Sequence, residues 1–336
     1  MTAVGQRTGG AGPVDFGTFG DYGDFGGRRK ESKERERGEF VRAAYPFRGR
    51  ISADGASGYP AAAGRYHLYI SWACPWAQRC AIVRKLLGLE DAISLSAVDP
   101  VRDGRGWAFR EGDGYGLDPV NGFAFLREAY EATEPGYPGH ISVPVLWDRQ
   151  AGAIVSNNFP DITIDLATQF GQWSDPAVRL YPEPLRPQID ALCDVIYANV
   201  NNGVYRSGFA GSQEHYHQAV TDLFGTLDQL ESRLAGQRYL AGDALTEADV
   251  RLWVTLARFD SVYYSHFKTS VRRLTDYQNL WGYARDLYAR PAFRQTTNFD
   301  HIKRHYFMTH SHLNPSRIVP EGPLLDWDSP HGRDRL

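Results

Sequence analysis

The stretch RYHLYISWACPWAQR, residues 65–79, changes its period part-way along. Tyr66, Leu68 and Ile70 alternate with His67 and Tyr69 and are β-prone, which predicts a short strand. From Ala77 onward Ile82, Val83, Leu86 and Leu87 recur at helical spacing, and Gly88 ends the run. Pro75 suits the first helical position, where a missing N–H costs nothing. Cys74 therefore stands at a helix N-terminus, where unpaired N–H groups and the positive end of the dipole favour a thiolate. This context predicts a lowered thiol pKa and a nucleophile, against the blander reading of a small buried hydrophobe that fits most free cysteines. Position 77 is Ala, so no dithiol pair forms across a turn. Cys80 lies about 9 Å along the axis and on another face. A disulfide made by Cys74 must then be opened from outside, which implies a small-molecule thiol as cosubstrate.

The chain around this unit has 336 residues, a net charge of −3, 42% hydrophobic and 23% charged residues. That length accommodates two domains with ample cores. The charge gives no reason to expect nucleic acid or an anionic membrane as partner. No apolar run reaches the length of a membrane span, and the first residues lack the apolar core of a signal peptide. Cys74, Cys80 and Cys193 make no disulfide framework, so a reducing cytoplasm is the expected compartment. Eight Trp and nineteen Tyr predict large cores, with part of the aromatic surface available to line a pocket for a flat ligand.

Taken in order, residues 1–40 form a Gly-rich extension, with Phe16, Phe19, Tyr22 and Phe25 spaced among glycines and a mixed-charge run at 28–37. This reads as a mobile or loosely docked tail whose aromatics anchor it on the body or on a second subunit. Residues 41–175 read as an α/β, thioredoxin-like domain. A strand at 92–98 closes a βαβ unit with the first strand and helix. An irregular excursion over 99–140 carries Trp107, and long loops of this kind are usually functional. Two strands then flank a turn at 148–152, with Pro144 opening the first as an edge or cis proline. A helix is expected over 159–170. Residues 176–310 read as an all-helical domain. Val220, Leu223, Phe224, Leu227, Leu230 and Leu234 share one helix face. Thr246-Glu-Ala-Asp249 resembles a capping box opening a helix that is apolar nearly all round, and more helix follows over 280–288. Residues 311–336 form an irregular tail.

Six motifs carry a closer resemblance: Cys74-Pro-Trp-Ala, Val143-Pro-Val-Leu-Trp-Asp148, Asn201-Asn-Gly-Val-Tyr205, Leu245-Thr-Glu-Ala-Asp249, Asn279-Leu-Trp-Gly282 and His301-Ile-Lys-Arg-His-Tyr306. From about residue 40 to 330 the sequence resembles the Xi-class glutathione transferases, the glutathionyl-hydroquinone reductases. The resemblance implies that Cys74 is the catalytic cysteine and that Trp107 packs on the bound thiol. It implies that Val143, ahead of a cis Pro144, pairs through its backbone with the thiol's cysteinyl amide. Tyr205 and Tyr306 match the residues that hold the quinol's hydroxyl groups, and a homodimer is expected. The sequence departs from the family at Asn158 and Phe159, where Glu-Ser binds the γ-glutamyl carboxylate and amine of glutathione. Neither residue reproduces that recognition, so the thiol is expected to be glutathione or mycothiol, the latter with its sugar stacked on Phe159. Gln78 stands where His is usual and Phe307 where a second Tyr is usual.

The reaction these residues imply is removal of a small thiol from an S-conjugated hydroquinone through a Cys74 mixed disulfide, with Tyr205 and Tyr306 holding and protonating the quinol. No metal or nucleotide is called for. Two alternatives stay open. A thioltransferase or dehydroascorbate reductase needs Cys74 but not the tyrosines. A non-catalytic binding protein of the same fold needs neither.

Overall fold

The computed structural model describes residues 10–18, 38–40, 42 and 44–336. Four strands, β1 (Tyr66–Ile70), β2 (Ile93–Ala97), β3 (Val145–Asp148) and β4 (Ala153–Ser156), form one sheet in the order β2-β1-β3-β4. β1 runs parallel to β2, with Tyr66 opposite Ile93, and antiparallel to β3, with Tyr69 opposite Val145. The crossover between β1 and β2 is helix α1 (Pro75–Leu86), as the change of period predicts. Gly88 follows it at φ +67°, a conformation that side chains resist.

Alternation along β1 suggests one wet face, yet all five of its residues are buried. The excursion over 99–140 is the reason, because it covers that face. Phe109 packs edge-on against Tyr69 at 5.4 Å and Phe123 against Trp147 at 5.8 Å. His67, fully buried, is matched between the hydroxyls of Ser94 (2.7 Å) and Ser96 (2.8 Å). The excursion also contains a helix that the sequence reading omits, α2 (Arg127–Thr133), two turns long and flanked by irregular chain. It is stapled internally by Arg110, which reaches Asp99 at 2.7 Å and Asp103 at 3.2 Å.

Residues 10–18 are docked on the excursion by backbone groups and on the C-terminal tail by Phe16, whose ring lies 5.6 Å from the Arg317 guanidinium. Ala11 N–H donates to the Phe109 carbonyl (2.9 Å), Arg110 Nε donates to that of Gly12 (2.6 Å), and Phe16 stays 51% exposed. Phe19, Tyr22, Phe25 and the charged run lie outside the described residues.

After β4 comes α3 (Phe159–Gln169), and the rest is helical: α4 (Arg186–Val195), α5 (Gly203–Gly208), α6 (Gln213–Leu234), α7 (Glu247–Arg258), α8 (Gln278–Tyr288) and α9 (Phe299–Thr309). α7 opens on the expected reciprocal cap: Asp249 accepts from the Thr246 N–H at 2.8 Å and from its hydroxyl at 3.0 Å. Arg251 apart, every residue of α7 is buried, which makes it the central post of this half. Two π-helical segments, Ile196–Asn201 and Phe259–Tyr263, interrupt the helices that face the sheet domain. Such bulges are frequent at functional sites because the extra residue re-aims the side chains that follow.

Candidate active site

Cys74 caps α1 in extended conformation (φ −77°, ψ 120°), and Pro75 starts the helix. The thiol retains 8% exposure, at a cavity between the two halves. Its Sγ lies 3.5 Å from the Val143 carbonyl, a contact a protonated thiol makes as donor. The Val143–Pro144 peptide is cis, as the family resemblance implies. One expectation is overturned. Burial pushes the Cys74 thiol above its ordinary pKa, although the N–H groups of Ala77 and Trp76 and the charges of Arg258 and Arg42 pull it down. The helix N-terminus is present, but desolvation by chain segments distant in sequence outweighs it. Cys80 is fully buried away from the cavity.

The opposite wall comes from the helical half. Tyr205 on α5 and Tyr306 on α9 bring their hydroxyls to 2.5 Å from each other. A third phenol, Tyr263 at the end of the second π segment, reaches Tyr306 at 3.0 Å from behind. Tyr263 is not read from the sequence, where it is one aromatic in a run of them. Burial raises the pKa of all three, so the chain of hydroxyls is neutral. Either phenol of each pair can donate, so the chain of hydroxyls can hand a proton along to a ligand oxygen that meets it.

Trp107 also lines the cavity. Its ring stacks on His305 at 5.1 Å, and the Arg102 guanidinium lies 5.3 Å from its centroid. His305 Nδ1 is held by the Pro100 carbonyl at 2.8 Å, which requires a proton on that nitrogen. Burial lowers the pKa of His305 and of His140 to about 3, and that of His310 well below its usual value, so these cavity imidazoles are neutral. Arg42, 4.5 Å from the Trp76 ring and 4.8 Å from that of Tyr205, closes the site from the N-terminal segment. The described lining residues include no aspartate or glutamate.

Asn158 and Phe159 do not line this cavity. The Asn158 amide donates to the Asp161 carboxylate at 2.6 Å, a side-chain bond within the first turn of its own helix. Phe159 is 1% exposed, packed 4.8 Å from Trp76, edge-on to Tyr45 at 5.6 Å and under the Arg79 guanidinium at 4.7 Å. A sugar stacked on Phe159 is therefore ruled out: the ring belongs to the core. Among the described residues no group of three or more metal-ligating side chains converges.

Family models for the glutathione S-transferase N-terminal and C-terminal domains match residues 73–169 and 213–286. The chain is 47% identical over 304 residues to glutathionyl-hydroquinone reductase YqjG of Escherichia coli, covering 88% of this chain and 93% of that protein. It belongs to the Xi-class glutathione transferases. The glutathione-bound structure of YqjG superposes with a TM-score of 0.84 over 86% of this chain and 96% of that one. The Xi transferase of Phanerochaete chrysosporium, also 47% identical, gives 0.82 over 85% and 98%. The thioredoxin-like domain followed by a helical domain is thus the Xi-class arrangement, and the cavity lies where these two parts meet.

Proposed function

We propose that this Xi-class protein is a thiol-dependent reductase of S-conjugated hydroquinones, with Cys74 as nucleophile. The observation that carries the reading is a single cavity with the Cys74 thiol on one wall and the paired hydroxyls of Tyr205 and Tyr306 on the other. The curated relative is a glutathionyl-hydroquinone reductase, so a conjugate of that class is the substrate proposed here. The conjugate enters in its keto form, with the sulfur on a tetrahedral ring carbon. Cys74 Sγ attacks that sulfur, and the carbon–sulfur bond breaks. Its electron pair passes through the ring to the carbonyl oxygen, which takes a proton from Tyr205 as the hydroquinone forms. Cys74 is left as a mixed disulfide. A second thiol attacks it, releasing a small-molecule disulfide and the Cys74 thiolate.

Thiol activation follows from the Val143 carbonyl. In the resting site it accepts from Cys74. An incoming cysteinyl amide that takes this acceptor removes a bond made only by the protonated thiol, and the balance moves toward thiolate. Trp107 provides the adjoining apolar wall for the thiol.

For the thiol itself, glutathione is the cosubstrate the relatives' names give. One observation favours mycothiol as a second reading: no carboxylate is among the described residues lining the cavity to receive the γ-glutamyl ammonium, and Asn158 is engaged by Asp161. Hydroquinone release from a glutathionyl- and a mycothiolyl-menadiol, measured side by side, tests both. Release from neither overturns the function, and a micromolar KM for glutathione overturns the mycothiol reading. We also expect a homodimer through the helical half, where Val271 is 65% and Val195 46% exposed. A monomer in sedimentation at micromolar concentration would contradict it.

A further inference from the structure

Arg258, the last residue of α7, is fully buried, and its hydrogen bonds all go to neutral acceptors. Nε donates to the Ala73 carbonyl (3.1 Å), Nη2 to that of Trp72 (3.1 Å), and Nη1 to Gln78 Oε1 (2.6 Å) and the Val254 carbonyl (2.7 Å). Among the described residues no carboxylate lies within ion-pair distance of it. A guanidinium keeps its charge at any working pH, and burying one without a counter-ion is costly. Arg110 is buried with a counter-charge from Asp99 and Asp103, whereas Arg79 and Arg333, like Arg258, are buried on neutral acceptors. What sets Arg258 apart is where its acceptors lie, beside a residue that becomes an anion during the proposed reaction.

Three of its contacts fix where that anion is. Trp72 and Ala73 immediately precede Cys74, and Gln78 is one turn into the helix that Cys74 caps. Gln78 in turn donates to the Thr296 carbonyl (3.0 Å) and the Thr297 hydroxyl (2.8 Å), so the clamp spans both halves of the molecule. We propose that Arg258 is the positioning cation of the nucleophile, pinning the loop that presents Cys74 and supplying the positive charge beside which its thiolate forms. This inference rests on the reading of Cys74 as nucleophile. The other groups facing the thiol are Arg42 and Tyr45 from the N-terminal segment, Arg102 and neutral His140 from the excursion, and the neutral histidines and tyrosines of the helical half. All of these stay constant when Arg258 alone is changed.

The test is the pH dependence of Cys74 alkylation by iodoacetamide in the full chain, with the fold checked by thermal unfolding. Arg258→Gln should raise the midpoint by about one unit and slow alkylation at pH 7 about tenfold. Arg258→Lys, which keeps the charge but not the four-way clamp, should leave the midpoint within a few tenths of a unit while kcat for hydroquinone release falls. A folded Arg258→Gln with an unchanged midpoint overturns the proposal, as does Arg258→Lys shifting as far as Gln. Should Arg258→Gln not fold, Gln78→Glu decides. It keeps Arg258 and sets a carboxylate against it, and an unchanged midpoint there overturns the proposal too. Alkylation needs no quinol substrate, so failure of the proposed function, seen as no hydroquinone release by the unmodified protein, is read separately.

Discussion

The two ends of the cavity are built differently. The end proposed to hold the quinol is a stack of side-chain hydroxyls, Tyr205, Tyr306 and Tyr263, each on a different helical segment and within 3.0 Å of the next. The end proposed to hold the thiol is mostly backbone and aromatic surface: the Val143 carbonyl ahead of a cis proline, and Trp107 in contact with His305 and Arg102. Its two residues with the greatest promise of specificity, Asn158 and Phe159, have turned into the protein instead. Proton transfer demands hydroxyls at fixed separations, so that end is determined residue by residue. Gripping a cysteinyl amide demands backbone, which leaves the side chains beyond it free to diverge.

The largest effect expected is at the nucleophile. Cys74→Ser should lower hydroquinone release by at least about a thousandfold, whereas Cys80→Ser, away from the cavity, should leave it largely intact. Should both variants retain turnover, the division into a nucleophilic and a protonating wall has no basis. At the quinol end Tyr306→Phe removes the middle of the hydroxyl chain and should lower kcat about a hundredfold, the lower end of what a positioned acid contributes. Tyr263→Phe removes only the hydroxyl behind it and should cost about tenfold or less, one neutral hydrogen bond. Equal losses would mean that the three act as a single structural cluster.

Asn158 and Phe159 lie outside the cavity, so Asn158→Glu with Phe159→Ser should leave the kcat/KM ratio between the two thiols largely unchanged, and a shift toward glutathione would show that these positions reach the thiol. Because Phe159 is core, the same variant should lose about 3–5 kcal/mol in urea unfolding. A variant as stable as the parent would show that the ring is not held as described. The smallest effect concerns His305. Its folded pKa of about 3 lies below the ordinary value near 6.5, so the stability tied to its neutral form is present above about pH 6.5. That stability is lost as pH falls toward 3. His305→Gln should therefore flatten the fall of the urea midpoint between pH 6.5 and 4, and an unaltered slope would place the acid sensitivity elsewhere.

Much of this was legible in the chain. The change of period at Cys74-Pro75, the proline after Val143 and the Thr246–Asp249 cap are local signals, and each element stands where they put it. What escaped was set by partners remote in sequence. The pKa of Cys74 depends on burial by the excursion and the helical half, which outweighs the local helix end. Tyr263 is undistinguished among nineteen tyrosines until the π segment turns it onto Tyr306. Arg258 sits at a helix C-terminus, where a basic residue is unremarkable on dipole grounds. Phe159 read as a ligand contact because its position suggested one, and only packing against Trp76 and Arg79 reveals it as core. The helix at Arg127–Thr133 is too short to announce itself by periodicity.

The central claim is that the thiol leaves its hydroquinone by passing through Cys74. Mixing the reduced protein with a stoichiometric glutathionyl-menadiol, without free thiol, and following the intact mass together with released menadiol tests it directly. The account predicts one menadiol released per protein and one glutathione held in disulfide linkage on Cys74, removed by added thiol. Menadiol released with no adduct on Cys74, or an adduct on another cysteine, would contradict it.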